Sequence, residues 1–126
     1  MVQPKRIAIF IDSLGGGGAE KVMLTLAQGM IEQRHSVDFF LLEPRIEYTP
    51  SADFGVHVLY QDIDHRQSTS RRLLAKTAAD MTKLYQSVVQ RAGEFDLVLA
   101  NLDPSCRVVE KMAIPNVYYV LHNAME

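Results

Sequence analysis

The chain has 126 residues, 48% of them hydrophobic, and its 13 Lys plus Arg against 15 Asp plus Glu leave a formal net charge of −2. This is the composition of one globular domain with a usable core, neither disordered nor fibrous, and its charge is too small to hold nucleic acid or an anionic membrane by itself. The single Cys106 excludes an internal disulfide and any zinc-type cysteine spacing.

For a chain with one thiol a reducing cytoplasm is the simplest home, and the amino terminus MVQPKRIAIFID, with only a short apolar run ending at Asp12, does not read as a signal peptide. No run of about 18 uncharged apolar residues is present to span a bilayer.

Along the chain, IAIFI (7–11) is a continuous β-branched apolar run, the pattern of a strand covered on both faces of a parallel sheet. Four glycines, 15 to 18, follow at once. Ala19, Val22, Met23, Leu26, Ala27 and Met30 then recur at three- and four-residue intervals, which predicts a helix to about Arg34 with one apolar stripe. SVDFFLLE (36–43) is a second strand, Pro44, Pro50 and Gly55 mark a loop, and VHVLYQD (56–62) is a third strand of less certain burial.

Ser68 or Ser70 is placed to cap a long helix whose Leu73, Leu74, Thr77, Ala78, Met81, Leu84, Tyr85, Val88 and Val89 share one face. Gly93 stands where a left-handed C-terminal cap belongs. FDLVLANL (95–102) predicts a buried strand, Asp103-Pro104-Ser105 starts a short helix to about Met112, and NVYYVLHN (116–123) is the last strand.

The resulting order, βαβ, β, αβαβ, predicts an α/β fold: a Rossmann-like three-layer sandwich with a mainly parallel sheet and helices on both faces, spanning 1–126 as one domain. Ligands of such sheets bind outside the carboxyl ends of the strands. The chain stops where a site and a covering helix are expected, which reads as a fragment of a larger protein.

The glycine run lies at that carboxyl end. Glycines let another molecule approach the backbone, and the helix amino end beyond them offers free N–H groups and partial positive charge, so a phosphate is the natural guest; a tight turn that needs only space is the bland alternative. The dinucleotide pattern G-x-G-x-x-G/A fails in register, with Glu20 or Lys21 in the final small position, although Glu43 lies near the place of a ribose-binding acid. No Gly-Lys pair occurs, which argues against a phosphate-loop ATPase.

Ser13-Leu14-Gly15-Gly16-Gly17-Gly18-Ala19-Glu20-Lys21 resembles the S-L-x-x-G-G-A-E-[RK] loop that opens bacterial family 4 retaining glycosyltransferases. IPNVYYVLHN (114–123) is similar to that family's fifth strand with its terminal His. The resemblance implies one half of a GT-B fold: an amino-terminal, acceptor-side domain facing an absent carboxy-terminal donor-binding domain. By the same resemblance Gly17 and Gly18 approach the diphosphate and sugar of a nucleotide-sugar donor, Gly16 aids the turn, His122 hydrogen-bonds the transferred sugar as the catalytic position, and Asn123 joins the substrate-binding set.

The resemblance further implies no metal and no cofactor beyond the donor substrate, and a glycan or lipid-linked acceptor in cell-surface polysaccharide synthesis (lipopolysaccharide or capsule). The location it implies is cytoplasmic, with peripheral contact at the inner membrane face. The isolated 126-residue piece is expected to be inactive. Arg66, Arg71 and Arg72 fall short of the about four to eight clustered basic residues that mark lipid recognition. Asn101, Asp103 and Ser105 share the rim, but Asp-Pro-Ser is first a helix-start sequence, and Cys106 beside them is a poor nucleophile candidate. A stand-alone nucleotide- or protein-binding module is the second reading and a dinucleotide oxidoreductase the third.

Overall fold

The computed structural model describes residues 3–15, 18–42, 46, 54–59, 71–101 and 105–120, except for the side chains of 18, 19, 71–74 and 120. Five strands and three helices alternate: β1 (Arg6–Ile11), α1 (Gly18–Glu32), β2 (Ser36–Leu41), β3 (Gly55–Val58), α2 (Arg71–Ala92), β4 (Leu97–Asn101), α3 (Ser105–Met112) and β5 (Val117–Val120). They form one sheet in the order β3-β2-β1-β4-β5, with every pairing parallel. The expected α/β Rossmann-like fold is the observed one.

The apolar run of β1 is central because it is covered on both faces. Ile7, Ile9 and Ile11 pack with Phe39, Leu41, Met23 and Ala27 on the α1 side. Ala8 and Phe10 pack with Phe40, Met81, Tyr85, Val88, Val108 and Val109 on the side of α2 and α3. Strand alternation thus sends successive side chains into two different cores.

The α2/α3 side is aromatic. Phe10 stacks on Phe40 at 4.8 Å between ring centroids, and Phe40 also meets His57, Tyr85 and Phe95 at 4.9, 5.6 and 5.9 Å. His57 in turn bonds Asp38 at 2.9 Å from β3 to β2, so its half-buried polar nitrogen is satisfied.

Three expectations are corrected. The apolar stripe of α1 is only half used: Met23 and Ala27 are buried, but Val22 and Leu26 stay 54% and 42% exposed. They stand on the flank of α1 where no described helix covers the α1 side of β4 and β5. The same geometry leaves Tyr118 of β5 exposed. Second, α1 ends at Glu32, short of the expected Arg34, because Arg34 turns into a left-handed conformation (φ 73°) and reverses the chain, and β2 ends at Leu41, short of the expected Glu43, which lies outside the described residues. Third, β3 is only four residues long; the remainder of its expected span from 60 to 62 lies outside the described residues, as do the capping positions Ser68 and Ser70. Gly93 does adopt the expected left-handed cap, with φ 102° and its N–H donated to the Val89 carbonyl at 2.8 Å.

Candidate functional site at the carboxyl end of the sheet

From β1 the chain moves to β2 on one side, and from β4 it moves to β5 on the other. The crevice between the carboxyl ends of β1 and β4 is therefore the topological switch point, where open α/β sheets take their ligands. The amino ends of α1 and α3 both face this edge, because each helix follows its strand directly.

Four polar positions converge here. Asp12 and Ser13 follow Ile11, Asn101 ends β4, and Ser105 begins α3. The Ser105 hydroxyl donates to Asp12 Oδ1 at 2.6 Å, joining residues 93 apart in sequence across the crevice. The carboxylate sits by the first turn of α3, where the helix dipole favours negative charge. Asp12 also anchors the neighbouring strand, since its carbonyl accepts the Leu42 N–H at 3.0 Å. Leu14 continues the parallel pairing as an isolated bridge to Ile46, so the rim extends beyond β1 itself.

Ser13, Asn101 and Ser105 are 5%, 0% and 2% exposed, and they are the buried polar residues among those described. Among the described residues neither Nδ2 nor Oδ1 of Asn101 has a hydrogen-bond partner. Leu97 and Leu99 pack on the α1 side while Val98 and Ala100 pack on the other, so alternation places Asn101 on the α1 side. One step beyond the Phe10–Ala100 pairing it comes level with Ile11, where the chain leaves β1 for α1.

Of the site residues expected from sequence, Gly18 begins α1 and so stands at the helix amino end. Gly16, Gly17, His122 and Asn123 lie outside the described residues. Gly15 is buried at the rim. Glu20 occupies the first turn of α1, in keeping with its dipole-complementing role. The helix start at Ser105 is borne out. Its partner Asp12 carried no signal beyond being a polar residue at the end of a buried strand. Cys106 is half-buried, with its thiol 3.4 Å from the Ala100 carbonyl, a packing position.

A cleft of about 640 Å³ lies elsewhere, bordered by Lys5, Leu26, Met30, His35, Asp96 and Leu97 at the amino ends of β1 and β4. It is the gap beside α1 where the sheet lacks a covering helix, and it is at the wrong edge for strand-end chemistry. Among the described residues no group of three or more His, Cys, Asp or Glu is arranged to hold a metal ion. No described helix is long and apolar enough to cross a membrane.

No family model matches the chain, and no curated protein matches it closely enough to count. Solved structures do. The apo structure of Phytolacca americana UGT2 superposes with a TM-score of 0.65 over 94% of this chain and 29% of its own, at 14% identity. Phytolacca americana UGT2 complexed with UDP-2fluoro-glucose and pterostilbene gives a TM-score of 0.59 over 96% of this chain and 31% of its own, at 13% identity. This chain thus spans about three-tenths of the length of either neighbour and shares the Rossmann-like arrangement of plant glycosyltransferases with a GT-B fold.

Proposed function

We propose that residues 1–126 are the amino-terminal, acceptor-side domain of a GT-B glycosyltransferase that moves a sugar from a nucleotide diphosphate sugar to a glycan or lipid-linked acceptor with retention. The observation that carries this reading is the buried polar rim at the β1/β4 switch point, in a fold that superposes over 94% of the chain on a solved UGT2. The neighbour complexed with a UDP-sugar analogue and an acceptor supports those two ligand classes. The sequence resemblance to bacterial family 4 enzymes supports retention and cell-surface polysaccharide synthesis at the inner face of the cytoplasmic membrane.

In this reading the donor's diphosphate lies against the glycine loop and the amino end of α1, whose N–H groups and dipole stabilise charge gathering on the leaving phosphate. Gly16, Gly17 and Gly18 keep side chains out of its way. His122 hydrogen-bonds the transferred sugar and Asn123 adds a second contact. The leaving phosphate takes the acceptor's proton, so the domain need not supply a general base, a metal or a further cofactor. The donor-binding wall is a second domain, and 1–126 alone is inactive because a cleft enzyme needs both walls.

The test is turnover by the full-length gene product with UDP- and GDP-hexoses and a polyprenyl-phosphate-linked acceptor, followed as release of nucleoside diphosphate. The anomeric proton of the product is then read by NMR. Transfer with the donor's anomeric configuration kept is the expected result. Inversion would sink the retaining assignment, and no release with any donor would sink catalysis and leave a binding module.

A further inference from the structure

Asn101 is completely buried, and among the described residues both ends of its carboxamide lack a partner. A buried polar group left without bonds costs about 1–3 kcal/mol, and an apolar residue at this position would remove that cost. The group also sits at the carboxyl edge of the sheet, on the face that carries the amino end of α1. Residues 12–17 connect β1 to that helix, and three of the six are glycine. The amino end of a 15-residue helix and an unsatisfied buried amide therefore share one edge and one face of the sheet.

The two features have different appetites. A helix amino end presents backbone N–H donors, which suits an anion. A carboxamide offers donors at Nδ2 and an acceptor at Oδ1. A phosphate oxygen satisfies Nδ2 but leaves Oδ1 facing another acceptor. A hydroxyl both gives and takes a hydrogen bond, and a neighbouring pair of hydroxyls saturates both atoms at once. Resting on the glycosyltransferase reading above, we infer that Asn101 is a specificity-determining residue that recognises hydroxyl groups of a sugar, while the helix amino end holds the adjoining phosphate.

The decisive comparison is the full-length protein against Asn101→Leu, a substitution with the same branching that removes both polar atoms. Calorimetry measures affinity for UDP- and GDP-hexoses and for UDP and GDP alone, kinetics measure the acceptor KM, and melting temperature reports the fold. The expected result is a melting temperature unchanged or raised, unchanged affinity for the sugar-free nucleotides, and a loss of about 10- to 100-fold for the partner whose sugar Asn101 holds. Weakened nucleotide-sugar binding assigns the hydroxyls to the donor, and a raised acceptor KM with donor affinity intact assigns them to the acceptor.

Equal affinities and KM in both proteins overturn the inference. So does a fall in melting temperature with nucleotide and nucleotide-sugar affinities dropping together, which would make Asn101 the holder of an internal water only. If the unmodified protein binds no nucleotide at all, the glycosyltransferase reading itself fails, a result separate from either of these. Deoxy analogues of the donor and acceptor sugars give a check independent of mutant folding. The unmodified protein should discriminate against at least one deoxy position of the donor or acceptor sugar, and Asn101→Leu should not.

Discussion

The two ends of the sheet treat their polar groups in opposite ways. At the amino end the described polar groups bond one another. The Arg6 N–H donates to Asp96 Oδ2 at 2.8 Å and the Asp96 N–H returns to the Arg6 carbonyl at 2.8 Å. The Arg6 guanidinium caps α2 by donating to the Gly93 and Glu94 carbonyls, and it lies 4.2 Å over the Phe95 ring. Lys5 donates its N–H to His35 Nδ1 at 2.9 Å. Every described residue with a left-handed backbone is here too: Arg34, Gly93, Ala113 and Asn116 each follow a helix or precede a strand at this edge. At the carboxyl end, by contrast, the Ser105 hydroxyl ties to the Asp12 carboxylate across the crevice while the buried Asn101 carboxamide has no partner among the described residues. Strain and cost at the amino end terminate helices, a structural use. The cost at the carboxyl end terminates nothing, which is why that end is read as the binding edge.

The contrast is most sharply tested by Arg6→Ala. It removes a cation–π contact and two charged hydrogen bonds to the end of α2, so a loss of about 2–3 kcal/mol is expected from the urea midpoint. Ligand affinity of the folded protein should be untouched. If instead Arg6→Ala weakened nucleotide-sugar binding as much as Asn101→Leu, the division between a structural and a binding end would collapse. Ser105→Ala comes next. Loss of the hydroxyl donated to the Asp12 carboxylate should cost about 1.5 kcal/mol in the same measurement. No change there would mean that the Asp12–Ser105 contact does not brace the crevice. Ala113→Gly should act in the other direction, raising stability by about 0.5–1 kcal/mol, because an alanine held at φ 54° is relieved when its Cβ is removed.

Much of this architecture was legible in the residues. The β-branched run at 7–11, the spacing from Thr77 to Val89 and the glycine at 93 each carry their own period or turn chemistry, and these elements formed where expected. The stripe on α1 was legible as a stripe but not in its fate. Whether Val22 and Leu26 are buried depends on a neighbouring element beyond β4, and no period within the helix encodes that. The left-handed turns at Arg34 and Ala113 carry no local signal, because arginine and alanine seldom adopt that backbone. The binding edge was legible as a place, from the glycines after the first strand. Its internal wiring was not, since Asp12 and Ser105 are 93 residues apart and only the β1–β4 pairing brings them together. Asn101 read as one rim residue among three. That it is both buried and unpartnered is a property of the packed sheet, invisible to any local pattern.

The smallest effect expected belongs to Tyr85, which links the stapled amino end to the aromatic core. Its ring packs against Phe10, Phe40 and Phe95, at 5.7, 5.6 and 5.5 Å. Burial raises its pKa above the ordinary 10.0, Glu94 raises it further, and Arg6 pulls it partly back. Because the folded chain resists ionising this phenol, the unfolded chain sheds the proton first. Stability is therefore independent of this group below pH 10.0 and falls as pH rises through that value toward the folded pKa. Urea melts between pH 9 and 11 should show this alkaline decline, and Tyr85→Phe should flatten it. In Arg6→Ala the decline should instead steepen, because the one charge that eases ionisation in the folded state is gone. An alkaline limb identical in all three proteins would show that the guanidinium at the amino end and the aromatic core beneath it are electrostatically independent, and the stapled end would then be a set of local caps with no hold on the core.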